Sequence, residues 1–293
     1  MHQCLISFGS NLGDRRERLI AAAQQVVRWE CCVDFAASRL FETPPIGGPG
    51  GQEPFLNAVA AFNTGAHASE VLGRLQSIEE ELGRRREVRW AARSIDLDVV
   101  LHGDLIGGHQ HLVVPHPRYT ARTFILTPAL DVAGHYQDPR FGWTLKKLSE
   151  HLSIGQPSLA LSGGSFGQRL KLANAVSEKY DISVIASVND LGAVAPDRPW
   201  ILTRFDETES MTSDSPLDAD YIPRLIVRIQ EDDPNERWPA PHRIWPTGGV
   251  FPEYGLELGD FDWAVDEIAA ALDSMRCPLN PVSHDGLWWR GNP

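Results

Sequence analysis

The chain alternates short apolar runs with segments whose apolar residues recur every three or four positions. Residues 3–8 (Gln-Cys-Leu-Ile-Ser-Phe) predict a first strand, ended by Gly9-Ser10-Asn11-Leu12-Gly13. Asp14 and Glu17 have capping-box spacing, and Leu19, Ala22, Ala23, Val26 and Val27 follow at helical intervals, which predicts a helix over 15–29. Residues 33–43 read as a second strand running into Thr43-Pro44-Pro45-Ile46, where two prolines stop regular pairing, and 47–54 form a Gly- and Pro-rich loop. Residues 55–62 predict a third strand, polar only at Asn57. Val71, Leu72, Leu75, Ile78 and Leu82 mark a helix over 69–82 closed by Gly83, with Gln76 and Glu79 on its other face reading equally as plain helix surface.

The next stretch organises the rest. Arg84, Arg85, Arg86, Arg89 and Arg93 fall within ten positions, and Asp96 and Asp98 follow in an apolar run. Ile95, Leu97 and Val99 alternate with Asp96, Asp98 and Val100, so both carboxylates belong on one face of a strand. Their Cβ atoms would then lie roughly 6.5 to 7 Å apart. Carboxylates that close repel each other unless a cation lies between them or one is protonated, and oxygen-loving Mg²⁺ carried in on a nucleotide suits the position. Guanidinium groups match phosphate oxygens in bidentate fashion. The combination points to phosphoryl transfer, against the plainer readings of a solvated arginine loop and a surface strand.

Beyond it, 112–118 is a short strand broken by prolines around His116. Arg122, Phe124, Leu126 and Leu130 belong to a helix, and 142–152 to another. After Pro157 the pattern changes to strand, glycine turn (Gly163 to Gly167) and helix, with strands expected over 182–188, 200–204 and 225–230 and an amphipathic helix from Phe261 to Met275. This rhythm predicts a second α/β domain, 158–293, with a parallel sheet. Its turn is degenerate as a P-loop: Ser162 stands for the first glycine, Gln168 for the lysine and Arg169 for the magnesium-binding hydroxyl. A structural turn is therefore favoured over a nucleotide site.

Composition narrows the partners. Of the net charge of −12, residues 1–157 contribute −1 and residues 158–293 contribute −11, which argues against nucleic acid. No run approaches a membrane span and the N-terminus lacks signal-peptide order, so a cytoplasmic protein is expected. Cys4, Cys31, Cys32 and Cys277 lack metal-ligand spacing and read as buried thiols. Tryptophans around Trp238 and at Trp288-Trp289 read as core anchors, or, if exposed, as a partner surface through which the second domain would form a homo-oligomer.

Taken in order, Gly9-Ser10-Asn11-Leu12-Gly13, Thr43-Pro44-Pro45, Phe55-Leu56-Asn57, Leu82-Gly83-Arg84, Arg89 to Asp98, Val114-Pro115-His116 and Arg122-Thr123-Phe124 strongly resemble 6-hydroxymethyl-7,8-dihydropterin pyrophosphokinase over residues 1–152. The resemblance implies an α+β ferredoxin-like N-terminal domain, 1–155. It implies transfer of pyrophosphate from ATP to the hydroxymethyl group of the dihydropterin, giving the diphosphate ester and AMP in folate biosynthesis. By position, Asp96 and Asp98 would take two Mg²⁺ ions, and Arg84 and Arg93 would act on the triphosphate. Gln76, Arg86, Trp90, Arg93, His116 and Arg122 would bind ATP. Thr43, Pro44, Ile46, Phe55, Asn57 and Phe124 would form the pterin pocket, with Phe55 standing where members often carry Tyr. Two other readings compete: a silent pterin- and nucleotide-binding regulatory protein, and a bifunctional enzyme with a second, kinase-like domain.

Overall fold

The computed structural model describes residues 1–48, 50–84, 92–109, 112–187, 190, 197–205, 222–230 and 251–291. The first half builds an antiparallel sheet from β1 (His2–Ser10), β2 (Val33–Ala37), β3 (Phe41–Thr43), β4 (Phe55–Thr64) and β5 (Asp96–His102), with α1 (Arg15–Val27) and α2 (Ala68–Glu81) connecting them. The strand order runs β3-β4-β1-β5, with β2 also pairing β4. The expected single strand over 33–43 is thus two strands along β4. Asp14 caps α1 by accepting from the Glu17 N–H at 3.1 Å, and Gly83 takes φ of 79° after α2.

Strands β1 and β4 are buried almost throughout, because both faces of this sheet are covered. Ile6 and Phe8 face α1 and α2 with Leu19, Val26, Val71 and Leu75. Leu5, Val59 and Leu101 face the other way, against α3 (Thr123–Val132), α4 (Leu145–Ser153) and the second half. Near-continuous apolar strands are the sequence mark of a sheet covered on both sides. A small hairpin, β6 (Gly107–His109) with β7 (Leu112–Val114), leads through a cis Val114–Pro115 peptide to His116.

The second half forms a parallel sheet from β8 (Ser158–Gly163), β9 (Ser183–Ile185), β10 (Trp200–Leu202), β11 (Leu225–Gln230) and β12 (Glu253–Glu257), in the order β12-β11-β8-β10-β9. Helix α5 (Phe166–Lys179) follows β8, and α6 (Phe261–Met275) follows β12. One apolar core runs unbroken from Leu126 and Leu148 to Leu159, Val227 and Ile268, so Pro157 is no boundary between separate cores.

The C-terminus departs from the expected division at 158–293. β13 (Asn280–Pro281) pairs β3, and the following 3-10 turn Trp288–Arg290 packs on the first half. Trp288 is buried, stands edge-on to Phe8 at 6.2 Å and donates from Nε1 to the Ser38 carbonyl at 2.7 Å. Trp289 stands edge-on to Phe35 at 5.4 Å. Gly286 crosses so close that a Cβ there would lie 1.8 Å from the Ala37 carbonyl oxygen. These tryptophans are anchors of the first sheet, not an exposed surface; the cluster around Trp238 lies outside the described residues. No helix among the described residues is long and apolar enough to cross a membrane. All four cysteines are free thiols; Cys4 is buried, and the other three are only partly so.

Candidate active site

Register fixes the centre of the site. Asp98 pairs Ser7 and Asp96 pairs Gly9 across β1 and β5, so the two carboxylates point the same way. Both line a cleft of about 290 Å³, together with Arg84, Arg93, His116 and Arg122. Thr43, Pro44, Ile46, Phe55, Asn57 and Phe124 line the same cleft. Gln76, on α2, is not brought to its wall, and Arg86 and Trp90 lie outside the described residues, as do Arg85 and Arg89.

The repulsion expected between the aspartates is offset by arginine. Asp96 Oδ1 lies 2.8 Å from Arg84 Nη2, and its Oδ2 accepts from Arg93 Nη1 at 2.5 Å. The first is a charge contact outside hydrogen-bond angles. Asp98 is the less engaged carboxylate: its Oδ2 is 3.9 Å from His116 Nε2, and its side chain is 34% exposed. Burial, followed by the charges of Arg122 and Arg118, pushes His116 well below the ordinary histidine range, so its ring is neutral at pH 7. The Arg118 N–H donates to His116 Nδ1 at 3.2 Å, which assigns the ring proton to Nε2, the nitrogen nearer Asp98. The Arg122 guanidinium lines the cleft over the Phe124 ring at 5.7 Å.

The glycine-serine-asparagine turn after β1 explains how this end is held. Ser10 Oγ donates to the Ser94 carbonyl at 2.6 Å, and Asn11 Oδ1 accepts the Arg93 N–H at 2.7 Å. Asn11 Nδ2 donates to Gln52 Oε1 and the Glu53 carbonyl, and Arg15 Nη1 to the Pro54 carbonyl at 2.6 Å. One turn therefore fixes both Arg93 and the loop over the pocket.

At the other end Asn57 Nδ2 donates to Thr43 Oγ1 at 2.7 Å, leaving the amide oxygen for another donor. Asn57 stands opposite Gly9 in the sheet. A Cβ on Gly9 would lie 3.3 Å from Asn57 Oδ1, 3.8 Å from Asp96 Cβ and 3.9 Å from Phe55 Cδ1, so position 9 is glycine for space. Gly9→Val is expected to raise the KM for whatever occupies the Phe55 end about tenfold or more, since small displacements in a site are costly. Steady-state kinetics check this, and an unchanged KM contradicts it.

Glu79 is not helix surface. Its side chain is buried, accepts the Leu97 N–H at 2.7 Å and is paired with Arg84. Burial raises its pKa to about 7, outweighing the opposing charge of Arg84. A carboxyl raised in the folded state favours folding most below its unfolded value of 4.5, and that contribution is lost as pH rises towards 7. Glu79→Gln is therefore expected to flatten the fall in stability between pH 5 and pH 8, an effect of order 1–3 kcal/mol. Denaturant titrations at the two pH values read it; an equal fall in wild type and variant contradicts the assignment.

Two further features had no counterpart in the sequence expectations. Arg118 lines the cleft, and so does a face of α6, through Glu267, Ala270, Ala271 and Ser274. These α6 positions sit at intervals of three and four on a helix otherwise marked by its apolar stripe, the one signal that a second face is used.

Residues 5–134 match the profile of the 7,8-dihydro-6-hydroxymethylpterin-pyrophosphokinase (HPPK) family. The 2-amino-4-hydroxy-6-hydroxymethyldihydropteridine pyrophosphokinase of Pseudomonas aeruginosa is 39% identical over 128 residues, 44% of this chain and 78% of that protein. The protein of the same name from Bacillus subtilis is 38% identical over 127 residues, 43% and 75% of the two chains. A solved wild-type HPPK-DHPS of Plasmodium falciparum with SDX-DHP aligns over 78% of this chain and 64% of that one, at 12% identity and a TM-score of 0.40. Residues 135–293 lie beyond the family match.

Proposed function

Because the chain belongs to the 7,8-dihydro-6-hydroxymethylpterin-pyrophosphokinase family, we propose that its cleft transfers the pyrophosphoryl group of ATP to 6-hydroxymethyl-7,8-dihydropterin, giving the pterin diphosphate and AMP in folate biosynthesis. The observation that carries this is the meeting of three groups in one cleft: the Asp96 and Asp98 carboxylates, the arginines, and the Asn57–Thr43 pair beside Phe55 and Phe124. A pterin is flat, with apolar faces and polar edges. Phe55 and Phe124 cover its faces, and the amide oxygen of Asn57, held by Thr43, accepts from its edge.

Arg84, Arg93 and Arg122 hold the triphosphate, and His116 donates from Nε2 to a phosphate oxygen. As the phosphates arrive, Arg84 and Arg93 exchange their contact with Asp96 for phosphate oxygens, which frees that carboxylate. The donor set at Asp96 and Asp98 is hard oxygen on one strand face, and it fits Mg²⁺ that brings its remaining ligands with the nucleotide. Two such ions, when bound, neutralise the phosphate oxygens and polarise the attacking hydroxyl. The residues do the rest by position: the pocket sets the hydroxymethyl oxygen in line with the β-phosphorus, and the arginines stabilise charge as AMP departs.

The order β3-β4-β1-β5 with α1 and α2 is read as a ferredoxin-like unit. The Gly163–Gly167 turn is read as structural. Its Ser165 and Gln168 form a capping box, and Arg169 donates from Nη1 to the Gly163 and Gly164 carbonyls and from Nε to that of Thr203. Incubation with ATP, Mg²⁺ and the reduced hydroxymethylpterin is expected to yield AMP in equal amount to the pterin consumed. Binding of both without AMP would mark a silent binding protein, and ADP a different kinase.

A further inference from the structure

Helix α6 comes from the half of the chain that the family match does not cover, yet it walls the site. Trp263, Glu267 and Ser274 fall at intervals of four and seven residues, on one side of the helix. Ser274 holds the start of α3: its Oγ accepts the Thr123 N–H at 3.2 Å, and its carbonyl accepts from Thr123 Oγ1. Trp263 lies under Arg118, whose guanidinium carbon is 4.6 Å from the ring centroid. Between them Glu267 Oε1 stands 3.1 Å from Arg118 Nε, a charge contact rather than an aligned hydrogen bond. Glu267 is 6% exposed, and a carboxylate so buried is costly unless a cation faces it.

The cations it faces belong to the cleft. Arg118 and Arg122 both line it, and burial lowers the pKa of Arg122, with Glu267 the first charge that opposes this. Among the described residues, four arginines on the cleft wall stand against Asp96, Asp98 and Glu267. Asp96 and Asp98 are the carboxylates suited to a metal; Glu267 sits at the arginine end, where it can only subtract positive charge. A fixed negative charge beside a phosphate site repels free ATP or pyrophosphate more than the magnesium complex, whose net charge is smaller.

We propose that Glu267 is a specificity-determining residue of this cleft, an internal counter-anion that weakens the hold of Arg118 and Arg122 on bare polyphosphates and so selects the metal-loaded nucleotide. The second half of the chain thereby sets the substrate selectivity of the first. This rests on the pyrophosphokinase reading for its biological meaning, while the anion preference is measurable without turnover.

The test is titration calorimetry on the full chain with inorganic pyrophosphate, ATP in EDTA, and ATP with excess Mg²⁺. Glu267→Gln keeps the side-chain shape and removes the charge. It is expected to bind pyrophosphate and metal-free ATP about tenfold more tightly and Mg-ATP only about threefold more tightly. Ala270→Glu, which adds a carboxylate to the same wall, is expected to do the reverse and weaken the metal-free ligands most. Equal tightening of all three ligands, no change, or weaker binding in Glu267→Gln would overturn the proposal; so would tighter metal-free binding in Ala270→Glu. AMP formation by the unaltered protein is followed in parallel. Its absence would remove the pyrophosphokinase reading and leave the anion selectivity standing or falling by itself.

Discussion

Replacing Asp98 by alanine is expected to lower the rate of AMP release by about 10³-fold or more, because Asp98 would help hold the magnesium proposed for the nucleotide, whose charge neutralisation is worth several kcal/mol. Pterin affinity should stay within about twofold, since stacking and edge contacts come from other residues. Asp98 is the sensitive position because it is the more available carboxylate: Asp96 already meets Arg84 and Arg93, whereas the ion-pair contact of Asp98 among the described residues is the neutral His116 at 3.9 Å. The Phe55 and Asn57 end of the cleft is built from β4 and the loop after β3, so the substitution leaves it in place. Single-turnover kinetics together with a pterin titration separate the two effects. Unchanged turnover removes the metal assignment, and lost pterin binding would mean that the two ends of the cleft are not independent.

Arg93→Ala is expected to reduce turnover about 10²-fold, the usual cost of one fixed donor to a developing charge, with pterin binding again preserved. Its backbone is clamped by Asn11, so once its guanidinium leaves Asp96 it meets the phosphate from a fixed place. Arg93→Lys should recover only part of the rate, because an ammonium lacks the planar fork. A variant that loses pterin affinity and keeps its rate contradicts the phosphate role.

Much of the site is legible in the sequence because its residues are local signals. Asp96 and Asp98 share a strand face by simple alternation, and the Gly9 to Gly13 turn and the prolines after Thr43 interrupt strands where a pocket opens. Glu79 is the opposite case, open between surface and site in the sequence. Three residues from Gln76 on a helix, it looks like surface, and only the tertiary placement of Leu97 and Arg84 buries it. Gln76 itself, assigned by resemblance, does not reach the cleft wall. The contribution of α6 was invisible because it depends on packing between segments some 150 residues apart, such as Thr123 with Ser274. The return of Trp288 to Phe8 was hidden in the same way. Periodicity reports which face of an element is buried, but not against what.

In the proposed function, carboxylates on β5 and arginines beside it grip one triphosphate while the Phe55 and Phe124 end holds the pterin. A crystal structure of the full chain with Mg²⁺, a non-hydrolysable α,β-methylene ATP and the hydroxymethylpterin tests it most directly. Metal density is expected about 2.0–2.1 Å from oxygens of both Asp96 and Asp98, with the phosphates on Arg84, Arg93 and Arg122. Nucleotide bound instead at the Gly163–Gly167 turn, or metal away from both aspartates, would contradict it.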